Sequence, residues 1–175
     1  MRGARQVRQA ARTVLLVGEG DAEVLFMRHF KSLYVNRHSG VAVTIKNARG
    51  MGAAHVVDFA YRQSRNADYD AKAALLDTDV GWNDKTRAAA RKAKVEVLAC
   101  TPCLEALLLS MHRVPVDGRT SAQLKYYFLN RFGAAACSES VLRHFDAPLL
   151  DEARTRLVVL DKLLCLLSHG KMNTA

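Results

Sequence analysis

Short apolar runs, each followed by a segment of helical spacing, leave this chain few folds to choose from. Thr13–Val17 is a β-branched, apolar run, and Asp21–Tyr34 follows it with Val24, Leu25 and Met27, then Phe30 and Leu33, at helical spacing. Val41–Ile45 alternates like a second strand, and Ala53–Gln63 returns to a helical pattern. Ala73–Leu76 is the third apolar run, followed by an Ala- and Lys/Arg-rich helix of about Lys85–Ala93. Val95–Ala99 is the fourth, leading through Thr101-Pro102 into a helix around Leu104–Met111. Runs of this kind fit strands buried on both faces. Strand–helix repetition then implies a parallel sheet covered by helices on both sides. The expected fold is α/β, with a Rossmann-like sheet of about four mainly parallel strands.

Beyond Pro115 the pattern turns helical. Ser121 is placed to cap a helix through Leu124, Tyr127, Phe128 and Phe132 that Gly133 closes. Ser138 opens a short segment carrying Val141, Leu142 and Phe145. Asp151–Ser168 reads as one long helix, with Leu157, Leu160, Leu164 and Leu167 on one stripe before Gly170. Such a stripe packs a core more often than a dimer seam, though a homodimer stays open. With 175 residues and no Pro- or Gly/Ser-rich linker, the expectation is a basic arm over residues 1–12 and one domain over 13–175, with a helical extension from about residue 116. The apolar runs fall far short of the ~20 residues a membrane span needs. Four scattered cysteines point to free thiols in a reducing, cytoplasmic setting.

The acidic residues are placed at what should be the strand ends. Glu19 follows the first strand between Gly18 and Gly20, Asp77 and Asp79 end the third, and Glu105 lies in the first turn after the fourth. Glu23 stands one helical turn beyond Glu19. The carboxyl ends of the strands of an open parallel sheet form its binding crevice, so these groups should meet on one rim. Anions held together are unfavourable unless a cation joins them. Oxygen-only ligands favour Mg²⁺ or Mn²⁺. Two strand residues two apart point to one side, which would direct Asp77 and Asp79 to the same ion. Each acid also has a plainer role on its own: Asp77 or Asp79 as a helix cap, Glu23 and Glu105 as favourable first-turn charges.

Val14–Glu23 (Val-Leu-Leu-Val-Gly-Glu-Gly-Asp-Ala-Glu), followed by Leu75–Asp79 (Leu-Leu-Asp-Thr-Asp), resembles the TOPRIM fold of topoisomerases, DnaG-type primases and OLD-type nucleases. Thr101–His112 resembles the Pro-Cys-x-Glu signature of RloB-like proteins, small TOPRIM relatives associated with restriction and phage defence. Lys46–Asp58 is similar to their basic, glycine-containing turn. The resemblance covers about Val14 to Tyr127; Leu104 stands where the family has an aromatic, and Lys125-Tyr126-Tyr127 matches a downstream Lys/Tyr segment loosely. It implies metal-dependent phosphodiester chemistry. Glu19, Asp77 and Asp79 would be the catalytic acids, and Mg²⁺ would be held by Asp77 and Asp79 with Glu19, Glu23 and Glu105 as further ligands. A neighbouring defence-system subunit is an implied partner.

With 26 Lys+Arg against 17 Asp+Glu, the formal charge of +9 favours an acidic partner, and nucleic acid is the commonest. Arg2, Arg5, Arg8 and Arg12 would share one broad face of a helical arm. Lys46, Arg49, Lys85, Arg87, Arg91, Lys92 and Lys94 lie at or after strand ends, and Lys125 adds a further cation. Lys46, Arg49, Lys85, Arg87, Arg91 and Lys125 are the candidate phosphate contacts. Gly18-Glu19-Gly20 is not a dinucleotide loop, because Glu23 occupies the third glycine position and Glu19 would repel a pyrophosphate. Cys100-Thr101-Pro102-Cys103 has the spacing of a redox pair or half a zinc site. His112 could approach the crevice, although a surface or capping role suits it better. Two readings compete with a nuclease. One is a binding subunit that keeps the fold without catalysis; the other is a haloacid-dehalogenase-like phosphatase using Asp77 and Asp79, although that family carries the pair on its first strand.

Overall fold

The computed structural model describes residues 11–168, so Arg2, Arg5 and Arg8 lie outside the described residues. Strands β1 (Arg12–Gly18), β2 (Val41–Asn47), β3 (Ala71–Asp77) and β4 (Glu96–Cys100) form one sheet in the order β2-β1-β3-β4. Every pairing is parallel. Helix α1 (Asp21–Tyr34) links β1 to β2, α2 (Gly52–Ser64) links β2 to β3, and α3 (Asp84–Ala93) links β3 to β4.

The side-chain alternation of β1 and β3 explains why both are central. Val14 and Leu16 of β1, with Ala73 and Leu75 of β3, face a core with α1; Leu15, Val17, Ala74 and Leu76 face a second core with α2 and α3. All eight are essentially without solvent exposure. Edge strand β2 instead alternates, burying Val41 and Val43 and exposing Ala42. The chain runs outward from β1 to β2, then crosses back to β3. Helices on opposite faces therefore diverge between β1 and β3, and the crevice opens there.

The α1 side carries the larger core. Helices α4 (Leu104–Met111), α5 (Ser121–Phe132), α6 (Ala147–Ala153) and α7 (Val158–Leu167), with a 3-10 helix over Glu139–His144, close over it. Phe26, Phe30, Phe128 and Phe145 are its largest fully buried side chains. The second core is thinner and rich in alanine. Among the described residues no helix is long and apolar enough to cross a membrane.

Two local expectations are corrected here. Thr120, not Ser121, is the N-cap of α5: its hydroxyl accepts from the Gln123 N–H while the Gln123 side chain accepts from the Thr120 N–H. The segment 151–168 is not one helix. It breaks between α6 and α7, and Leu157 becomes the α7 N-cap. The break lets Arg156 donate to the carbonyls of Ser110 and Met111 at 2.6 and 2.7 Å, which satisfies the C-terminal end of α4. Arg154 pairs with Asp161 at 2.7 Å across the same turn.

Gly18 is where α1 comes closest to the sheet. A Cβ there would lie 2.9 Å from Glu23 Cβ and from Met27 Cε, and 3.0 Å from Val24 Cγ2. Glu23 Cβ is anchored to the helix backbone and cannot swing away. Gly18→Ala should therefore cost about 1–3 kcal/mol by overpacking, read as a Tm lowered by several degrees; an unchanged Tm would show that α1 shifts freely.

Candidate active site

Glu19 and Asp77 stand at the carboxyl tips of adjacent strands β1 and β3, and the backbone joins them. The Glu19 N–H donates to the Leu75 carbonyl at 3.1 Å, and the Asp77 N–H donates to Glu19 Oε2 at 3.1 Å. Asp77 Oδ1 accepts the Leu104 N–H at 2.8 Å, at the N-terminus of α4. Helix α3 has its own cap in Asn83, whose side chain accepts the Thr86 N–H. Asp77 thus caps the helix after β4 rather than the one following its own strand. Glu23 Oε2 accepts the Gly20 N–H at 2.8 Å, the reach-back expected of an acid in the first turn. Glu105, in the first turn of α4, is buried, and its Oε2 has no hydrogen-bond partner.

These four carboxylates share one electrostatic environment. Burial pushes Asp77 up to about 7, and the charges of Glu23, Glu105 and Glu19 push the same way against the Leu104 hydrogen bond. Burial likewise raises Glu23, with Glu19 and Glu105 adding to it and two backbone hydrogen bonds opposing. A cation is also at hand. Burial draws Lys125 of α5 downward, but Glu105, Asp77, Cys103 and Asp79 outweigh it and hold the ammonium above its ordinary value.

Asp79 departs from the expected geometry. Strand β3 ends at Asp77, so the two-residue alternation does not carry to Asp79, which is exposed in the following turn. That turn is fixed by Pro102, whose carbonyl accepts the N–H groups of Thr78 and Asp79 at 3.1 and 3.2 Å. Asp79 Oδ2 accepts the Ser121 hydroxyl at 2.6 Å. Among the described residues, no three Asp, Glu, His or Cys side chains are gathered as a metal cage. One oxygen each of Glu19, Glu23 and Asp77 is engaged with a backbone N–H, which leaves the other free. The donor set nevertheless suits a hard divalent ion: it is all oxygen, mutually repulsive, and includes one orphaned buried oxygen.

The basic candidates separate into two groups. Lys46, near the end of β2, and Arg49, just beyond it, are exposed at the crevice end. Arg49 lines a cavity of about 570 Å³ with Gly20, Asp21 and Asn47. Lys85 and Arg87 lie in the first turns of α3, where Arg87 pairs with Asp84 at 2.7 Å and lies 5.3 Å from the centre of the Trp82 ring. Arg91, Lys92 and Lys94 run toward the opposite end, because α3 travels back along the sheet. Lys72, near the start of β3, donates to the Ala93 carbonyl at 3.1 Å and marks that end. Arg12 begins β1 rather than ending an arm, and donates to the Cys165 carbonyl at 3.3 Å.

Cys100 and Cys103 are free and buried. Burial and the neighbouring acids hold both thiols high, Cys103 at about 11, which disfavours the thiolate that redox exchange or zinc binding needs. His112 caps the far end of α4, with its ring 5.1 Å from both Phe132 and Phe145, away from the crevice.

No family model, curated protein or solved structure matches the chain. The chemistry of the crevice therefore rests on its own geometry.

Proposed function

We propose that this chain is a divalent-metal-dependent nuclease of TOPRIM type, resembling RloB-like proteins and cleaving phosphodiester bonds of RNA or DNA in phage defence or restriction-linked processing. The observation that supports the proposal is the joining of Glu19 and Asp77 at adjacent strand tips, with Asp77 capping the helix that carries Glu105, whose buried Oε2 has no partner. Asp77 and Glu105 would hold Mg²⁺ or Mn²⁺, with Glu23 as a further ligand. Such an ion supplies charge stabilisation and an acidified water to phosphoryl chemistry. Glu19 has one oxygen anchored by the Asp77 N–H and one left to accept a proton from an attacking water. Lys125 brings positive charge to the same rim, where it can neutralise a substrate phosphate. Lys46, Arg49, Lys85 and Arg87 extend that charge along the crevice end. Asp79 accepts the Ser121 hydroxyl on Oδ2 and would offer Oδ1 as a further ligand.

A second reading has its own support. A proton on Asp77 and the ammonium of Lys125 can together offset much of the cluster's charge. The same fold would then serve a nucleic-acid-binding subunit without catalysis. Incubation of the protein with labelled tRNA, single-stranded DNA and duplex DNA, each with Mg²⁺, Mn²⁺ or EDTA, separates the two. The nuclease reading expects product with a divalent ion and none with EDTA or with Asp77→Asn. Salt-sensitive binding with no product under any ion supports the binding subunit instead. Neither binding nor product overturns both.

A further inference from the structure

We propose that the outward face of α5 is a stacking platform that takes an unpaired single strand of nucleic acid and leads it into the crevice; the inference rests on the nucleic-acid reading above and names the form of the partner. Helix α5 already has its packing from Leu124, Phe128 and Phe132, which are buried. Tyr126 and Tyr127 do not contribute to that stripe, and remain 68% and 41% exposed. Large aromatic rings held out beside cations fit a ligand with flat faces and negative charge. Arg119 sets its guanidinium 4.9 Å from the centre of the Tyr127 ring, which fixes that ring and adds a cation beside it.

The platform is continuous with the site. Ser121, at the start of α5, is bonded to Asp79 at 2.6 Å. Lys125 lies one turn further along the same face and feels the charges of Glu105, Asp77 and Asp79. Tyr126 follows it about 100° further round the helix, so that the ring and the ammonium flank one edge of α5. A base stacked on Tyr126 therefore brings its own phosphate toward Lys125 and the acid cluster beyond. An unpaired base offers a free π-face, whereas in a duplex every pair but the terminal ones is covered on both faces by its neighbours. The surface thus selects single strands through base planes and phosphates, largely without regard to sequence.

Binding in EDTA tests this independently of catalysis. A fluorescent single-stranded DNA of about a dozen nucleotides, a length within the range such surfaces cover, would be titrated beside the blunt duplex of the same sequence. The single strand is expected to bind at least about tenfold more tightly than the duplex. Tyr126→Ala should weaken it by about tenfold, the effect of losing one stacked base, whereas Tyr126→Phe keeps the ring and the affinity. Because Tyr126 is exposed, the Tm of both variants should match wild type. Equal affinity for duplex, or unchanged single-strand binding in Tyr126→Ala, would overturn the platform. So would a dimer in solution that Tyr126→Ala converts to monomers, since α5 would then be an interface between copies. Single-strand selectivity without metal-dependent product leaves the platform standing and removes the nuclease; duplex cleavage indifferent to Tyr126 does the reverse.

Discussion

Asp77→Asn should abolish metal-dependent cleavage, by at least about a hundredfold, while making the metal-free protein more stable at pH 8. Loss of supporting residues around a metal site already costs 10–100-fold, and a ligand at the centre of the cluster should cost no less. The stability gain follows from the carboxyl's raised pKa, about 7 in the fold against an ordinary 3.8. A carboxyl held that high binds its proton more tightly folded than unfolded, so its contribution is favourable in acid and is lost as pH rises. The loss begins near pH 4 and is complete above about pH 7. At pH 8 wild type carries the full repulsion and the amide carries none, yet the amide oxygen can still accept the Leu104 N–H. Solvent at this half-buried site screens part of the repulsion. A gain of about 1–2 kcal/mol, or roughly 3–8 °C in Tm, is expected at pH 8, falling to about a third of that at pH 5 and vanishing below about pH 4. Mg²⁺ should raise the wild-type Tm at pH 8 and move the variant much less. A variant less stable than wild type at pH 8 would show that Asp77 serves α4 as a cap more than it suffers from its neighbours.

The parts legible in the sequence are those with a local cause. Thr13–Val17 and Ala73–Leu76 read as strands because both of their faces are covered, so no polar residue interrupts them. At their carboxyl ends the strands run one to two residues past the apolar runs, where Asn47, Asp77 and Cys100 continue the ladder, and β4 begins at Glu96 and not at Val95. The α6–α7 break was hidden because Leu157 keeps helical phase with Leu160 and Leu164, while what ends α6 is the reach of Arg156 to another helix. The four acids were legible because each follows a strand or opens a helix. That Asp77 caps α4 depends on the β3–β4 register and on a partner 27 positions away, which no short window holds. Strand alternation stops at Asp77, so it does not set where the Asp79 side chain points. Thr120-x-x-Gln123 is a capping-box pattern, and with Thr120 as the cap Ser121 is free to bond Asp79.

Phe145→Ala should be among the most destabilising single changes in the chain, at about 3–5 kcal/mol. Phe145 follows the 3-10 helix, has no solvent exposure, and joins elements distant in sequence. Its ring meets Phe26 of α1 edge-on at 4.9 Å and lies 5.5 Å from Phe132 of α5 and 5.1 Å from His112 at the end of α4. Aromatic pairs of this geometry add to the burial term, and a methyl group cannot fill the space among three rigid helices. The backbone here is fixed as well, since the Phe145 carbonyl lies 2.7 Å from the His29 ring nitrogen and cannot easily follow a collapse. The expected Tm loss is on the order of 10 °C. The consequence reaches the crevice, because α1 carries Glu23, α4 carries Glu105 and α5 carries Lys125, and this aromatic cluster sets how those helices pack against one another. In folded Phe145→Ala protein below its Tm, the Mg²⁺-induced rise in stability should therefore shrink along with the Tm itself. A full metal response in a destabilised variant would show that the strand tips and helix N-termini hold the acids in place without the layer behind them.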